Sequence, residues 1–107
     1  MSSQLRVDVM SLDEVKKALA DKSIHLIDVR EPHEYAAGHI PGAQNMPLSS
    51  FDPAALPRDK KVVLSCNSGR RTLQGLQSAQ NGGRDDVHTH FEGSMQAWLQ
   101  AGEPVER

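Results

Sequence analysis

Apolar and polar residues alternate at Leu5, Val7 and Val9, a period of two that predicts a short strand. Ser11 precedes Glu14 by three positions. In that pairing the serine hydroxyl accepts from one free N–H at a helix start, and the glutamate reaches back to another. The helix it opens runs through Val15, Ala18, Leu19 and Ala20. Residues 24–29, Ile24-His25-Leu26-Ile27-Asp28-Val29, form a short, apolar, β-branched run that reads as a buried strand. Pro32 suits the first turn of a helix, where its missing N–H costs nothing, so a helix is expected over 32–37 with a stop at Gly38. Pro41-Gly42 marks a turn, and residues 43–46 form a short strand ended by Pro47. Residues 48–60, with Ser49-Ser50, Pro53 and Pro57, read as irregular. Lys61-Val62-Val63-Leu64-Ser65 is the clearest strand. A helix begins near Arg71 or Thr72, with Leu73, Leu76 and Ala79 facing inward, although Gly75 weakens it. Residues 87–91 read as a strand and 93–101 as a last helix holding Trp98. Strands alternating with helices at this spacing predict an α/β fold with a mainly parallel sheet.

The chain has 107 residues, one domain's worth over 1–107. Aromatic residues are 4% of it, so the core rests on Leu, Val, Ile and Ala, with Trp98, Tyr35, Phe51 and Phe91 as its few large pieces. A net charge of -2 argues against nucleic acid as a partner, which calls for a basic excess. A single cysteine cannot form an internal disulfide, so the fold needs no oxidising compartment. The opening residues, Met1-Ser2-Ser3-Gln4-Leu5-Arg6, carry no apolar leader, and no run approaches the ~18 apolar residues of a membrane helix. A cytoplasmic location without membrane attachment is the expectation. Little follows the helix stop at Gly102-Glu103-Pro104, so both a complete protein and an excised domain remain open.

The strongest chemical signal lies where the strand over 61–65 runs into Cys66-Asn67-Ser68-Gly69-Arg70-Arg71-Thr72. Binding sites of parallel α/β sheets form at the carboxyl ends of strands. The amides of a glycine-containing turn make a nest for an anion, and the following helix adds the positive end of its dipole. Arg70 and Arg71 add permanent charge. All three effects favour thiolate over thiol and can lower a cysteine pKa from about 8.5 into the range of roughly 3.5–7.5. The same nest would hold a persulfide, which is also anionic. The competing reading, an inert buried cysteine, fits poorly beside Asn67, Ser68 and two arginines. Loop length separates two chemistries. Cysteine phosphatases place five residues between cysteine and arginine. Here the sixth residue after Cys66 is Thr72, and Arg71 arrives one position early. The shorter cradle suits a sulfur atom better than a tetrahedral phosphate, which disfavours a phosphatase or arsenate reductase.

From about Leu5 to Val105 the chain resembles the rhodanese family. Three motifs carry the resemblance. The first is Asp28-Val29-Arg30, then Glu34-Tyr35, then Gly38-His39-Ile40-Pro41-Gly42-Ala43, with Asn45 and Pro47. The second is the loop itself, entered through Val62-Val63-Leu64-Ser65. The third is Gly93-Ser94-Met95-Gln96-Ala97-Trp98, closed by Gly102-Glu103-Pro104-Val105. The resemblance implies a rhodanese-like three-layer sandwich around a central, mainly parallel five-stranded sheet. It also implies a catalytic cysteine and transfer of sulfur from a donor such as thiosulfate to cyanide or a thiol. The loop matches the subgroup with Cys-x-x-Gly-Lys/Arg-Arg-Thr. Two departures stand out: the family's second glycine before the tryptophan segment is Ser94, and the helix after the loop is less apolar than usual. Both are expected to bear on helix packing rather than on the cysteine.

Cys66 is therefore the candidate nucleophile, with Asn67, Ser68, Gly69, Arg70, Arg71 and Thr72 as donor-binding residues. Asp28 is expected to brace the loop through Arg30 or Arg71, against the alternative of an ordinary surface ion pair. His39 reads as part of a turn. His88 and His90, two apart in a strand, would share a face, but without a third ligand nearby no metal site is expected, and no cofactor. Two functions stay open: a sulfurtransferase acting on a small donor and a thiol or cyanide acceptor, and a persulfide-carrying or sulfur-sensing module whose partner is a protein.

Overall fold

The structure, a computed structural model, describes residues 4–107. Met1, Ser2 and Ser3, half of the polar opening stretch, lie outside the described residues. Five strands form one parallel sheet: β1 (Asp8–Met10), β2 (Ile24–Asp28), β3 (Gln44–Asn45), β4 (Lys61–Ser65) and β5 (Thr89–Phe91), in the order β1-β5-β4-β2-β3. The helices are α1 (Leu12–Asp21), α2 (Pro32–Ala37), α3 (Arg71–Asn81) and α4 (Ser94–Gln100). Two short 3-10 turns, Leu48–Ser50 and Pro53–Ala55, occupy the stretch read as irregular. The expected α/β architecture is the one observed.

Local chemistry explains the start of α1. The Ser11 hydroxyl accepts from the Glu14 amide at 3.2 Å, and the Glu14 carboxylate accepts from the Ser11 amide at 2.9 Å. Two layers of apolar side chains cover the sheet. Ile24, Leu26, Val63 and Phe91 pack with Val15 and Ala18 of α1 and Met95 and Trp98 of α4. Ile27, Val29, Val62 and Leu64 pack with Leu76 and Ala79 of α3. Successive strand residues point to opposite faces, so β4 serves both layers, with Val63 on one side and Val62 and Leu64 on the other. Each buried Val, Leu, Ile, Phe or Met side chain among these stabilises the fold by about 1.5–3 kcal/mol relative to leaving it in water. Trp98 is buried, and its indole N–H donates to the Pro104 carbonyl at 2.7 Å, which ties the chain after α4 to the core.

Several expected limits shift. β5 begins at Thr89, not Val87, and β3 covers only Gln44–Asn45. β1 begins at Asp8, not Leu5; Val7, just before it, and Val9, within it, are exposed. β1 is an edge strand paired only with β5, and Met10 supplies the inward contact. Leu73 is likewise exposed, because the inward stripe of α3 is Thr72, Gly75, Leu76 and Ala79. Gly75 belongs on that stripe for lack of space: a Cβ there would stand 2.8 Å from Leu64 Cδ1. Among the described residues no helix is long and apolar enough to cross a membrane.

Candidate active site

The central strand β4 ends at Ser65, and Cys66 follows it with no exposed surface. Residues 67–70 then turn sharply before α3 begins at Arg71. Two sets of backbone bonds shape this turn. On the outside, the start of α4 holds the loop's first carbonyls: the Met95 amide donates to Cys66 O at 3.0 Å and the Gln96 amide to Asn67 O at 3.0 Å. With those carbonyls held outward, the next amides face inward. The Gly69 amide donates to Cys66 Sγ at 3.1 Å, and the neighbouring amides of Thr72, Ser68 and Arg71 add to its pull on the sulfur's charge.

These contacts oppose each other electrostatically. Burial pushes the thiol pKa up, and the four amides pull it down; the amides prevail, so the Cys66 pKa lies below its ordinary value. Thiolate is therefore favoured by backbone dipoles rather than by a neighbouring base.

Gly69 is required twice over. Its φ is +88°, and a Cβ there would fall 2.3 Å from the Glu92 carbonyl oxygen, a backbone atom that cannot step aside. Gly69→Ala is expected to pull the loop open, at a cost of roughly 2–4 kcal/mol from backbone strain and clash together. The cysteine's pH profile for alkylation should move up, with far-ultraviolet circular dichroism unchanged. An alanine variant with the wild-type profile would show that the loop tolerates the side chain.

The two arginines have different fates. Arg71 makes a bidentate pair with Glu34 of α2, at 2.6 and 2.9 Å, and that guanidinium holds the Glu34 carboxyl at about 2. Arg70 is exposed and makes no ion pair among the described residues. Asp28 and Arg30 are both buried, so the surface-pair alternative is excluded. The Asp28 carboxylate takes Arg30 rather than Arg71, through Nε at 3.0 Å and Nη2 at 2.8 Å, and Arg30 Nη2 also donates to Gly38 O at 2.7 Å. The pair thus fastens the end of β2 to the end of α2, and the loop reaches α2 separately through Arg71 and Glu34. Asn67 and Ser68 are exposed at the loop's rim. The Thr72 hydroxyl, expected to meet the donor, is spent elsewhere: it donates to Gly69 O at 2.9 Å and lies 2.6 Å from His90 Nδ1. His39 is a turn residue, stacked on Tyr35 with its Nδ1 at 2.9 Å from Tyr35 O.

Ser94 corrects an expectation. It does touch the cysteine: its hydroxyl accepts from the Cys66 amide at 3.0 Å and donates to Phe91 O at 2.7 Å. It is fully buried at φ +51°, a conformation that a glycine adopts without strain and a serine does not. Sequence reasoning also passed over Glu34 as the partner of Arg71, 37 positions away, and His90 as a neighbour of the loop. Only the adjacency of β2, β4 and β5 could have exposed those links. His88 turns instead to Asp8, at 2.7 Å. Among the described residues no group of three or more His, Cys, Asp and Glu side chains is gathered as a metal would need.

Residues 11–101 match the model of the rhodanese-like domain. An uncharacterized protein of Synechocystis, slr1261, is 40% identical over 78% of this chain, which spans 47% of that relative's length. The human thiosulfate:glutathione sulfurtransferase is 34% identical, with 85% of this chain and 92% of that protein aligned. The solved structure of the human single-domain sulfurtransferase TSTD1 superposes with a TM-score of 0.73 at 34% identity, covering 86% of this chain and 95% of that one.

Proposed function

The chain belongs to the rhodanese-like domain family, and from that premise we propose that it is a thiosulfate sulfurtransferase working through a persulfide on Cys66. The supporting observation is the turn that aims the Gly69 amide at the Cys66 sulfur at 3.1 Å, with the amides of Thr72, Ser68 and Arg71 also lowering that thiol's pKa. In the first step the thiolate attacks the outer sulfur of thiosulfate. A Cys66 S–S bond forms, the donor's S–S bond breaks, and sulfite leaves with the electron pair. In the second step cyanide or a thiol attacks the outer sulfur of the persulfide, and Cys66 departs as thiolate. The covalent intermediate divides one transfer into two easier ones.

Each flanking residue has a stated part in this reading. The amides of Ser68, Gly69, Arg71 and Thr72 stabilise the negative charge before and after loading. Arg70, exposed and without an ion pair among the described residues, meets the anionic donor, and the side chains of Asn67 and Ser68 guide it at the rim. Arg71 is neutralised by Glu34, so it fixes the loop more than it attracts the donor. Asp28 and Arg30 brace the strand end beneath.

Incubation with thiosulfate should add one sulfur, ~32 Da, to Cys66, as a ping-pong intermediate requires. Intact-mass spectrometry would show the increment appear, and then vanish when cyanide or a reducing thiol is added. Absence of the increment with thiosulfate and with polysulfide would remove the proposal. The second reading, a module loaded by and delivering to a protein, is favoured if the increment forms but small acceptors discharge it slowly.

A further inference from the structure

We propose that His90 is a positioning residue: acting through the Thr72 hydroxyl, it holds the amides of Gly69 and Thr72 on the Cys66 sulfur. The inference rests on the reading of Cys66 as the reactive group.

The geometry assigns the protons. A hydroxyl has one proton to give, and that of Thr72 goes to Gly69 O at 2.9 Å. The 2.6 Å contact between Thr72 Oγ1 and His90 Nδ1 must then be a donation from the imidazole. His90 therefore carries a hydrogen on Nδ1. Burial, which lowers its pKa below the ordinary value, agrees with a neutral ring. The result is a directed chain: His90 Nδ1–H to Thr72 Oγ1, and Thr72 Oγ1–H to Gly69 O.

Both ends of the second link matter to the cysteine. The Gly69 amide donates to Sγ at 3.1 Å, and among the four loop amides that of Thr72 lowers the thiol pKa most. The hydroxyl link ties these two residues to each other. His90 ties them to β5, which is hydrogen-bonded to β4, the strand that presents the cysteine. Thr72 and His90 are both buried, so water cannot replace either partner. Strand alternation puts His90 on the face opposite Phe91, beneath the start of α3, and the ring makes no other hydrogen bond among the described residues.

The test is the pH dependence of Cys66 alkylation by iodoacetamide, which reads the thiolate without any sulfur chemistry. Thr72→Val keeps the side chain's shape and removes the hydroxyl; Thr72→Ser restores it. His90→Phe keeps a ring and removes the donor; His90→Asn keeps an N–H in reach of Thr72. The Val and Phe variants should hold about threefold to tenfold less thiolate below the wild-type midpoint, as loosened amide bonds to the charged sulfur require. The Ser and Asn variants should follow the wild-type curve. If His90→Phe does not fold, Thr72→Val decides alone. A folded Thr72→Val or a folded His90→Phe with the wild-type profile overturns the proposal, as does a Thr72→Ser profile shifted as far as that of Thr72→Val. Profiles that shift as expected in a protein that never gains ~32 Da from a sulfur donor leave His90 in place and remove only the sulfurtransferase reading.

Discussion

Cys66→Ser should reduce thiosulfate:cyanide activity to background, below about one thousandth of wild type, while the fold persists. Both halves have a physical basis. Transfer needs a group that is an anion near neutral pH and that leaves readily from sulfur; a serine hydroxyl is neither. Cys66 is the chain's one cysteine, so no neighbouring thiol can take its place. The fold has little reason to fail. Oxygen is smaller than sulfur, and the amides that face Sγ would face Oγ instead. The loss of apolar packing is then offset by hydrogen bonding, and the net cost should be about 1 kcal/mol. A colorimetric thiocyanate assay, run beside a thermal melt, measures both. Substantial turnover by the serine variant would end the mechanism, and a collapsed melt would make the assay uninformative about chemistry but would contradict the packing argument.

Arg84→Ala should have the largest effect on stability. Arg84 is 2% exposed, and no feature of the sequence pattern marks it for burial. Its guanidinium donates to three backbone carbonyls, Pro53 at 2.7 Å, Leu56 at 2.8 Å and Pro57 at 2.9 Å, and pairs with Asp86 at 2.9 Å. Residues 53–57 contain no strand or α-helix that could satisfy those carbonyls. Alanine would leave the Leu56 and Pro57 carbonyls without that donor around a hole, while the Pro53 carbonyl keeps the Leu56 amide at 3.2 Å. Losing a buried, multiply bonded charge of this kind costs roughly 3–5 kcal/mol. For a domain of this size that lowers Tm by on the order of 15 °C. Arg84→Lys should fall between, since one ammonium cannot reach three carbonyls and a carboxylate together. The activity per folded molecule should be unchanged at low temperature, because Arg84 shares no contact with the cysteine loop. A melt within a few degrees of wild type would mean that the carbonyls find other donors.

The elements that sequence patterns revealed are those governed by near neighbours. The Ser11 and Glu14 pair lies within four residues, and both of its bonds form. The limits expected for the helix over 32–37 and the strand over 61–65 are those of α2 and β4, because proline, glycine and a β-branched run act locally. The loop from Cys66 to Thr72 was legible for the same reason: its charge, glycine and position after a strand are all contiguous. What stayed hidden is long-range. That Val9 faces water depends on β1 being the sheet's edge. That Glu34 rather than Asp28 holds Arg71 depends on where α2 settles. Ser94 looked like a packing blemish because its hydroxyl meets Cys66 only after 28 positions of chain have folded back. Arg84 was silent because its partners are carbonyls, which every residue has.

The strand order has a consequence for how the molecule is made. β1 pairs with β5, so Asp8 waits for Thr89. The carbonyls of Cys66 and Asn67 wait for the amides of Met95 and Gln96. Pairings between distant parts of a chain form late, since the entropy of closing a long loop is lost before any contact is gained. During synthesis the cysteine therefore emerges well before the segment that shapes its loop. Until residue 96 is in place the Cys66 loop lacks the amides that hold its first carbonyls outward. On the proposed reading of Cys66 as the nucleophile, reactivity arrives with the last quarter of the chain, and a truncated or half-assembled molecule carries the cysteine without its shaped loop.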